Sequence, residues 1–241
     1  MASILAAFQF LTVFPPLIRR AFTPKELGRS VGWYPLVGLG LGGVLFGVGW
    51  LLRPVLPDAV MAVLLLILWV TLTRALHLDG FMDMCDGLFG GFTPERRLEI
   101  MRDSRVGAFG AAGGALLLLT RFVLIQEVLA EPFALILAAV LGRWAVSLAV
   151  VQFPYARESG MGRQIKDQAG RAQVAIATLT ALLAAAALFG CLGMYILVGV
   201  GAAAGVILAL VLRRIPGLTG DIYGALCEMI EVLALLAVVI W

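Results

Sequence analysis

The sequence predicts an all-α, polytopic integral membrane protein, a single domain over residues 1–241 with about seven transmembrane helices. Three observations support this prediction. The chain is 62% hydrophobic and only 14% charged, whereas soluble proteins average roughly 45–50% and 25%. Its apolar residues form runs of about 20, the length of a helix that crosses a bilayer. Its lysines and arginines collect between those runs, on one side of the predicted bundle.

Seven runs are long enough to cross a membrane as helices, which satisfy their own backbone hydrogen bonds. They are Val31–Leu52, Ala59–Leu76, Ala108–Leu129, Pro132–Val151, Ala172–Phe189, Gly193–Leu212 and Ile222–Trp241. The apolar segment Met1–Phe14 is shorter, stops at two prolines and lacks the basic start of a signal peptide. We therefore expect it to form an interfacial or re-entrant helix.

The distribution of charge gives this topology a direction. The segments 15–30, 77–107, 152–171 and 213–221 connect the spans on one face. On or beside that face lie fifteen of the eighteen lysines and arginines. By the positive-inside rule the face is cytoplasmic, with the N-terminus inside and the C-terminus outside.

Composition also excludes several classes of protein. The three cysteines show no paired spacing, which argues against a disulfide framework or a zinc cage. The formal net charge of +3 is too small to indicate nucleic acid as a partner. The 28 glycines favour close packing of helices in the membrane.

An acidic stripe just after the second run marks the candidate site. On a helix, Asp79, Asp83 and Asp86 lie at relative angles near 0°, 40° and 340°, so the three carboxylates share one face about 60° wide. Because like charges at this spacing repel, a cation must hold them. Mg²⁺ prefers oxygen ligands and commonly binds phosphates as well. The alternative is a polar helix end that reaches to water.

Two further groups on this face are candidates for the chemistry. His77, the only histidine, has four interpretations: a metal ligand, an acid–base group, a hydrogen-bond partner or a structural polar cap. A short amphipathic helix is predicted over Glu95–Arg105. The better candidates among its charged residues are those that immediately precede the next span, namely Arg102, Asp103 and Arg105.

Two loops converge on the same face. The loop after the fourth span offers Arg157 beside flexible glycines. The loop before the last span offers Arg213 and Asp221, and Asp221 is either a helix N-cap or part of an anion or metal site. Within the spans, five charged residues are expected to pair with one another or face a polar cavity. They are Arg121, Glu127, Arg143, Glu228 and Glu231.

The segments His77–Gly87 and Leu98–Gly107 together resemble the signature of the cobalamin synthase family, the adenosylcobinamide-GDP ribazoletransferases. Tyr155-Ala156-Arg157, Thr219-Gly220-Asp221 and Tyr34–Gly38 are similar to shorter blocks of that family. Two positions depart from the family pattern. Phe81-Met82 replaces a common Leu-Ala, which leaves the acidic stripe intact. Val13 replaces a common arginine, so Arg19 or Arg20 is left as the alternative phosphate contact near the N-terminus.

The resemblance implies a Mg²⁺-dependent enzyme of the bacterial inner membrane that acts late in cobalamin biosynthesis. The implied substrates are adenosylcobinamide-GDP and α-ribazole or its 5′-phosphate, and GMP is the second product. In this interpretation Asp79, Asp83 and Asp86 hold Mg²⁺. The other roles follow: His77 or Asp103 accepts the proton, Arg102 acts on the reacting phosphate, and the substrate phosphates are bound by Arg105, Arg143, Arg157, Arg213 and Asp221.

Three other classes of protein stay open at this point. A different intramembrane phosphotransferase or prenyltransferase also uses spaced aspartates at a membrane edge, but this chain has no second matching acidic block. A transporter would place its charges nearer the bilayer midplane, in repeated halves. A structural membrane subunit does not account for three carboxylates in register. The number of copies in the assembly, including a homo-oligomer, also stays open.

Overall fold

All 241 residues are described by a computed structural model. The chain forms eleven α-helices and no β-sheet, which confirms the all-α prediction. In chain order they are α1 (Ala2–Leu11), α2 (Pro24–Ser30), α3 (Tyr34–Leu52), α4 (Asp58–Leu72), α5 (Leu76–Gly90), α6 (Pro94–Ile100), α7 (Ala108–Glu127), α8 (Phe133–Gln152), α9 (Met161–Gln168), α10 (Arg171–Leu212) and α11 (Gly220–Val239).

Several of these helices are long and apolar enough to cross a membrane, as the sequence predicts. Five qualify by length and composition, and the bent pair α4 and α5 would make a sixth. The central helix is α8, which packs against α3, α10 and α11. Apart from Arg143, Ser147 and the terminal Gln152, its residues are apolar, as expected of a helix that other helices surround.

The second predicted span is not one straight helix. It ends at Leu72, and α5 leaves it at an angle of 87°. Arg74 and Ala75 adopt left-handed backbone angles, with φ values of 54° and 53°, a conformation that side chains other than glycine rarely adopt. Arg74 Nη2 donates to the carbonyl oxygens of Gln9 and Phe10, at 3.1 Å each. The end of α1 therefore helps to hold the break, and the expectation of a continuous helix to Leu76 is wrong.

Helix α10 reverses direction at Gly190. The backbone there is non-helical, with φ 55° and ψ −130°. Gly193 lies directly against the carbonyl of Ala185. In a straight helix these two residues would be separated by about 12 Å along the axis. Trp144 of α8 also touches both halves, because its Nε1 donates to Thr178 Oγ1 at 3.1 Å and its ring borders Gly201. Residues 171–189 and 191–212 thus run side by side as a hairpin.

The shorter predicted helices are present with different ends. Helix α1 covers most of the first apolar segment and buries Ala6 and Ala7 completely. Helix α6 stops at Ile100 instead of continuing to Arg105. The Asp103 carboxylate accepts a hydrogen bond from the backbone N–H of Arg105 at 3.0 Å, and such local bonds compete with helical ones.

Candidate active site

A cavity of about 340 Å³ opens where α5, α8, α11 and the loop before α9 meet. Four of the residues singled out in the sequence line it: His77, Asp79, Arg157 and Asp221. Apolar side chains from α1, α3, α8 and α9 form the rest of its wall. The lining of the cavity is therefore partly polar and partly apolar.

Helix α5 reaches this position by crossing close to two helix N-termini. At one end Asp86 lies against the start of α7, and at the other Gly80 lies against the start of α11. A Cβ atom on Gly80 would come within 2.8 Å of the Asp221 carbonyl oxygen. Glycine at this position therefore allows the acidic stripe to approach Asp221.

The loop that carries Arg157 is fastened to the start of α11. Ala156 N donates to Leu218 O and Leu218 N donates to Pro154 O, each at 2.8 Å. This short parallel pairing sets Arg157 beside Asp221, and Nη2 donates to Asp221 Oδ2 at 2.6 Å. The two side chains are only 21% and 18% exposed, so the ion pair is partly shielded from water.

Asp221 does not cap α11. Thr219 is the N-cap, and its hydroxyl accepts a hydrogen bond from the Ile222 N–H at 3.3 Å. The same hydroxyl lies 3.1 Å from Asp221 Oδ2. Oδ2 of Asp221 thus has two side-chain partners, whereas Oδ1 has none within the chain. Asp221 is therefore not the N-cap and lines the cavity, and its role in an anion or metal site stays a prediction.

The three aspartates of the stripe lie on α5 but in different surroundings. Asp79 is exposed in the cavity wall, Asp83 is half-buried one turn further on, and Asp86 is buried. Both carboxylate oxygens of Asp86 accept backbone hydrogen bonds, from Gly107 N and Gly110 N at 2.7 Å each. Asp86 therefore caps the N-terminus of α7, where a negative charge is also favoured by the helix dipole.

Whether a divalent cation fits this site depends on which oxygen ligands the side chains offer. Asp79 and Asp83 have no ion pair or hydrogen bond within the chain, so two adjacent carboxylates lack a cation. No three Asp, Glu, His or Cys side chains converge on a single point. Mg²⁺ commonly uses one or two carboxylates and completes its shell with water and substrate phosphates. Asp79 and Asp83 fit that pattern, and the ligand set of three aspartates stays a prediction.

A cluster of buried charges lies behind the cavity. Arg121 Nη1 donates to Glu228 Oε2 at 2.5 Å, and Glu231 contacts both Arg121 and Arg143. The two arginines and two glutamates are at most 3% exposed and balance in charge. The pairing expected within the spans is therefore present for these four residues.

The two arginines of this cluster also contact Trp69 and His77. The Arg121 guanidinium lies 4.4 Å from the ring centre of Trp69 on α4. Arg143 Nη2 lies 3.5 Å from Nδ1 of His77. Arg143 does not line the cavity, so it lies one layer behind His77 and not at a position for binding substrate phosphate.

The other charged candidates lie outside the cavity. Asp103 and Arg105 form an exposed pair, Nη2 to Oδ2 at 2.7 Å, and the Arg105 side chain lowers the pKa of Asp103 to about 2. Such a weak base is poorly suited to accept a proton at neutral pH. Arg102 is exposed next to Met101, whose carbonyl oxygen lies 3.4 Å from Arg157 Nη2. Arg213 is exposed at the end of α10.

The cavity is also lined by residues to which the sequence analysis assigned no role. The rings of Tyr155 and Tyr223 lie 6.0 Å apart and nearly parallel at the cavity wall, which Tyr34 also lines. Burial raises the pKa of the Tyr155 phenol above its usual value, so it stays protonated near neutral pH. Phe10 and Leu11 bring the end of α1 into the wall. Tyr155 lies in the family-like block Tyr155-Ala156-Arg157, and Phe10 and Leu11 lie in the block around Val13, but the sequence assigned none of the three a role.

Known proteins are similar in sequence to nearly the whole chain. A family model described as cobalamin-5-phosphate synthase matches residues 3–239. The chain is similar to proteins named adenosylcobinamide-GDP ribazoletransferase. That of Desulforamulus reducens is 42% identical, over 95% of this chain and 93% of the relative. That of Syntrophobacter fumaroxidans is 43% identical, over 96% and 95%. No solved structure is similar to the chain.

Proposed function

The chain belongs to the cobalamin-5-phosphate synthase family, and we propose how its own residues carry out the reaction of that family. The reaction transfers the adenosylcobinamide-phosphate group of adenosylcobinamide-GDP to a ribazole-type acceptor, late in cobalamin biosynthesis. A hydroxyl oxygen of the acceptor forms a bond to the phosphorus next to cobinamide. The bond from that phosphorus to the bridging diphosphate oxygen breaks, and GMP leaves.

The observation that carries this proposal is the Arg157–Asp221 pair on the cavity wall, beside the carboxylate of Asp79. Phosphoryl transfer depends mainly on positioning and on neutralising charge. The planar guanidinium of Arg157 is suited to binding two phosphate oxygens at once. Asp221 and Met101 hold it in the wall from two sides. We assign Arg157 to the transferred phosphate, and the exposed Arg102 next to Met101 to an outer contact.

Proton transfer is assigned to Asp221. Its Oδ2 is fixed by Arg157 and Thr219, which leaves Oδ1 to accept the proton of the attacking hydroxyl. This assignment replaces Asp103, which lies in a surface ion pair. It also frees His77, whose Nδ1 faces Arg143, to donate a hydrogen bond from Nε2.

Magnesium is part of the proposal because two carboxylates lack a cationic partner. Asp79 and Asp83 would hold Mg²⁺ at the cavity edge. When bound, the ion would neutralise the diphosphate and favour the departure of GMP. Asp86 would support this pair indirectly, by fixing α5 against α7.

The membrane topology is a further part of the proposal. If the halves of α10 are two spans and α4 with α5 is a broken one, the five helices become seven. An odd number places the termini on opposite sides. Since the cavity opens among the loops that carry most of the arginines, we place it at the cytoplasmic face of the bacterial inner membrane.

The test is turnover by the purified enzyme with adenosylcobinamide-GDP, α-ribazole and Mg²⁺, with GMP release as the readout. For Arg157→Lys we expect a loss of at least about 100-fold in kcat/KM, because a point charge replaces a planar fork. Arg163→Lys is the matched control, since Arg163 pairs with Asp167 on the surface outside the cavity. Equal rates for the two variants would remove Arg157 from the site.

The assignment of the proton acceptor has its own pair of variants. Asp221→Asn is expected to lower kcat by about 100-fold or more, whereas Asp103→Asn should stay within about twofold of the wild type. Removal of Mg²⁺ with a chelator should abolish GMP release, and added Mg²⁺ should restore it. A fully active Asp221→Asn enzyme, or activity that survives the chelator, would contradict these roles.

A further inference from the structure

Resting on the proposed function, we infer that the cavity holds the acceptor, an aromatic nucleoside, while the corrinoid and the guanine of the donor stay outside it. The reaction has two substrates of very different size. The structure offers one cavity at the site. Which substrate enters that space follows from its volume and from the chemistry of its two walls.

The volume admits one small molecule. Pockets for compact, drug-sized ligands measure roughly 300–1,000 Å³, and this one is at the lower end, about 340 Å³. A benzimidazole nucleoside such as α-ribazole is of that size. A corrin ring that carries a nucleotide is several times larger, so at most its phosphate end reaches the cavity edge.

The walls divide by helix. Val146 and Val150 of α8, Ile165 of α9 and Leu11 of α1 form an apolar wall, and each of these four side chains is buried. The polar part of the lining comes from α5, the Arg157 loop and α11, which supply Asp79, Arg157 and Asp221. A ligand that fits both walls has a flat apolar part and a polar part with a reactive group.

The acceptor has this character and guanosine does not. The dimethylbenzimidazole ring carries methyl groups on its edge and a single free ring nitrogen. The guanine edge carries several hydrogen-bond donors and acceptors, and placing these against Val146, Val150 and Ile165 would leave them without partners. Burying a polar group without a hydrogen-bond partner is unfavourable. The ring therefore packs on the apolar wall, and the ribose hydroxyl faces Asp221 and Arg157.

Enlarging one side chain of the apolar wall tests this placement. Val150→Phe narrows the cavity, and we expect the KM for α-ribazole to rise at least about tenfold. The KM for adenosylcobinamide-GDP should stay within about twofold. The control is Leu148→Phe, on the same helix but outside the cavity, which should change neither KM. A rise in the donor KM, or no change in the acceptor KM, would overturn the inference.

A binding measurement keeps the test decisive if Val150→Phe does not fold. Calorimetry on the wild-type enzyme without donor should detect α-ribazole binding, and an excess of GMP should not displace it. An analogue without the two ring methyl groups should bind at least about tenfold more weakly. Displacement by GMP, or equal affinity for the two nucleosides, would overturn the placement. A wild-type enzyme that releases no GMP from both substrates would instead contradict the proposed function.

Discussion

At the scale of the residue, the single histidine has the most specific surroundings. His77 is 4% exposed and lines the cavity. Its Nδ1 lies 3.5 Å from Nη2 of Arg143, and a guanidinium nitrogen can donate hydrogen bonds but cannot accept them. We therefore expect Nδ1 to act as the acceptor, with the ring proton on Nε2. The chemistry of one side chain is thus set by a neighbour that does not touch the cavity.

The tautomer of His77 can be measured directly by NMR, because the chain contains only one histidine. In enzyme labelled with ¹⁵N-histidine, the NMR spectrum should show one imidazole with a protonated Nε2 and an unprotonated Nδ1. Arg143→Gln should allow the other tautomer to appear, since the fixed donor is lost. A wild-type spectrum with the proton on Nδ1 would show that Arg143 does not determine the tautomer.

At the scale of the element, α5 divides its three carboxylates between two tasks. Periodicity predicts correctly that Asp79, Asp83 and Asp86 share one helix. It does not predict that Asp86 meets the first amides of α7, since that contact depends on how α5 crosses its neighbours. The bend between α4 and α5 at Arg74 and Ala75 also could not be predicted from local sequence. Hydrogen bonds from Arg74 to α1, more than sixty residues away in the chain, help to hold it.

The two tasks can be separated by substitution. Asp86→Ala leaves the buried N–H of Gly110 without a partner, which costs about 1–3 kcal/mol. We expect a lower Tm in detergent and an unchanged Mg²⁺ dependence of the remaining activity. Asp83→Ala should keep the Tm, because Asp83 has no partner within the chain, but should lose most activity. The reverse pattern would give Asp86 the metal and Asp83 the structural role.

The turn of α10 gives a second prediction at this scale. Gly190 has backbone angles open almost only to glycine, so Gly190→Ala is expected to destabilise the hairpin by about 1–3 kcal/mol. Gly199→Ala is the matched control, since a Cβ there meets no atom within 4 Å and its φ is ordinary. Thermal unfolding in detergent measures the difference. Equal Tm values for the two variants would argue against a strained turn.

At the scale of the whole molecule, the apolar runs predict the bundle and the polar segments predict where its site lies. The sequence indicated that charged residues within the spans would pair, and the structure shows the pairs between Arg121, Arg143, Glu228 and Glu231. It gave no means of deciding which charges face substrate. Arg143 and Arg157 were both assigned to substrate phosphate, yet one lies behind the cavity and the other in its wall.

The proposed orientation of the bundle can be tested with a native residue. Cys191 is exposed at the turn of α10, whereas Cys85 and Cys227 are buried. In the seven-span topology this turn faces away from the cytoplasm, so a membrane-impermeant maleimide should label Cys191 in spheroplasts. A Cys191→Ser, Glu158→Cys enzyme should react only after the cells are opened. Labelling of Glu158→Cys from outside would reverse the orientation.

The buried charge cluster also bears on how the chain is made. Its two arginines lie on α7 and α8, whereas both glutamates lie on α11, which is synthesised after them. Each arginine enters the bilayer at a cost before its counter-charge has been synthesised. The charges of this cluster are therefore balanced only when α11 inserts, and a chain truncated before α11 retains two uncompensated cations in lipid and is a natural target for membrane quality control.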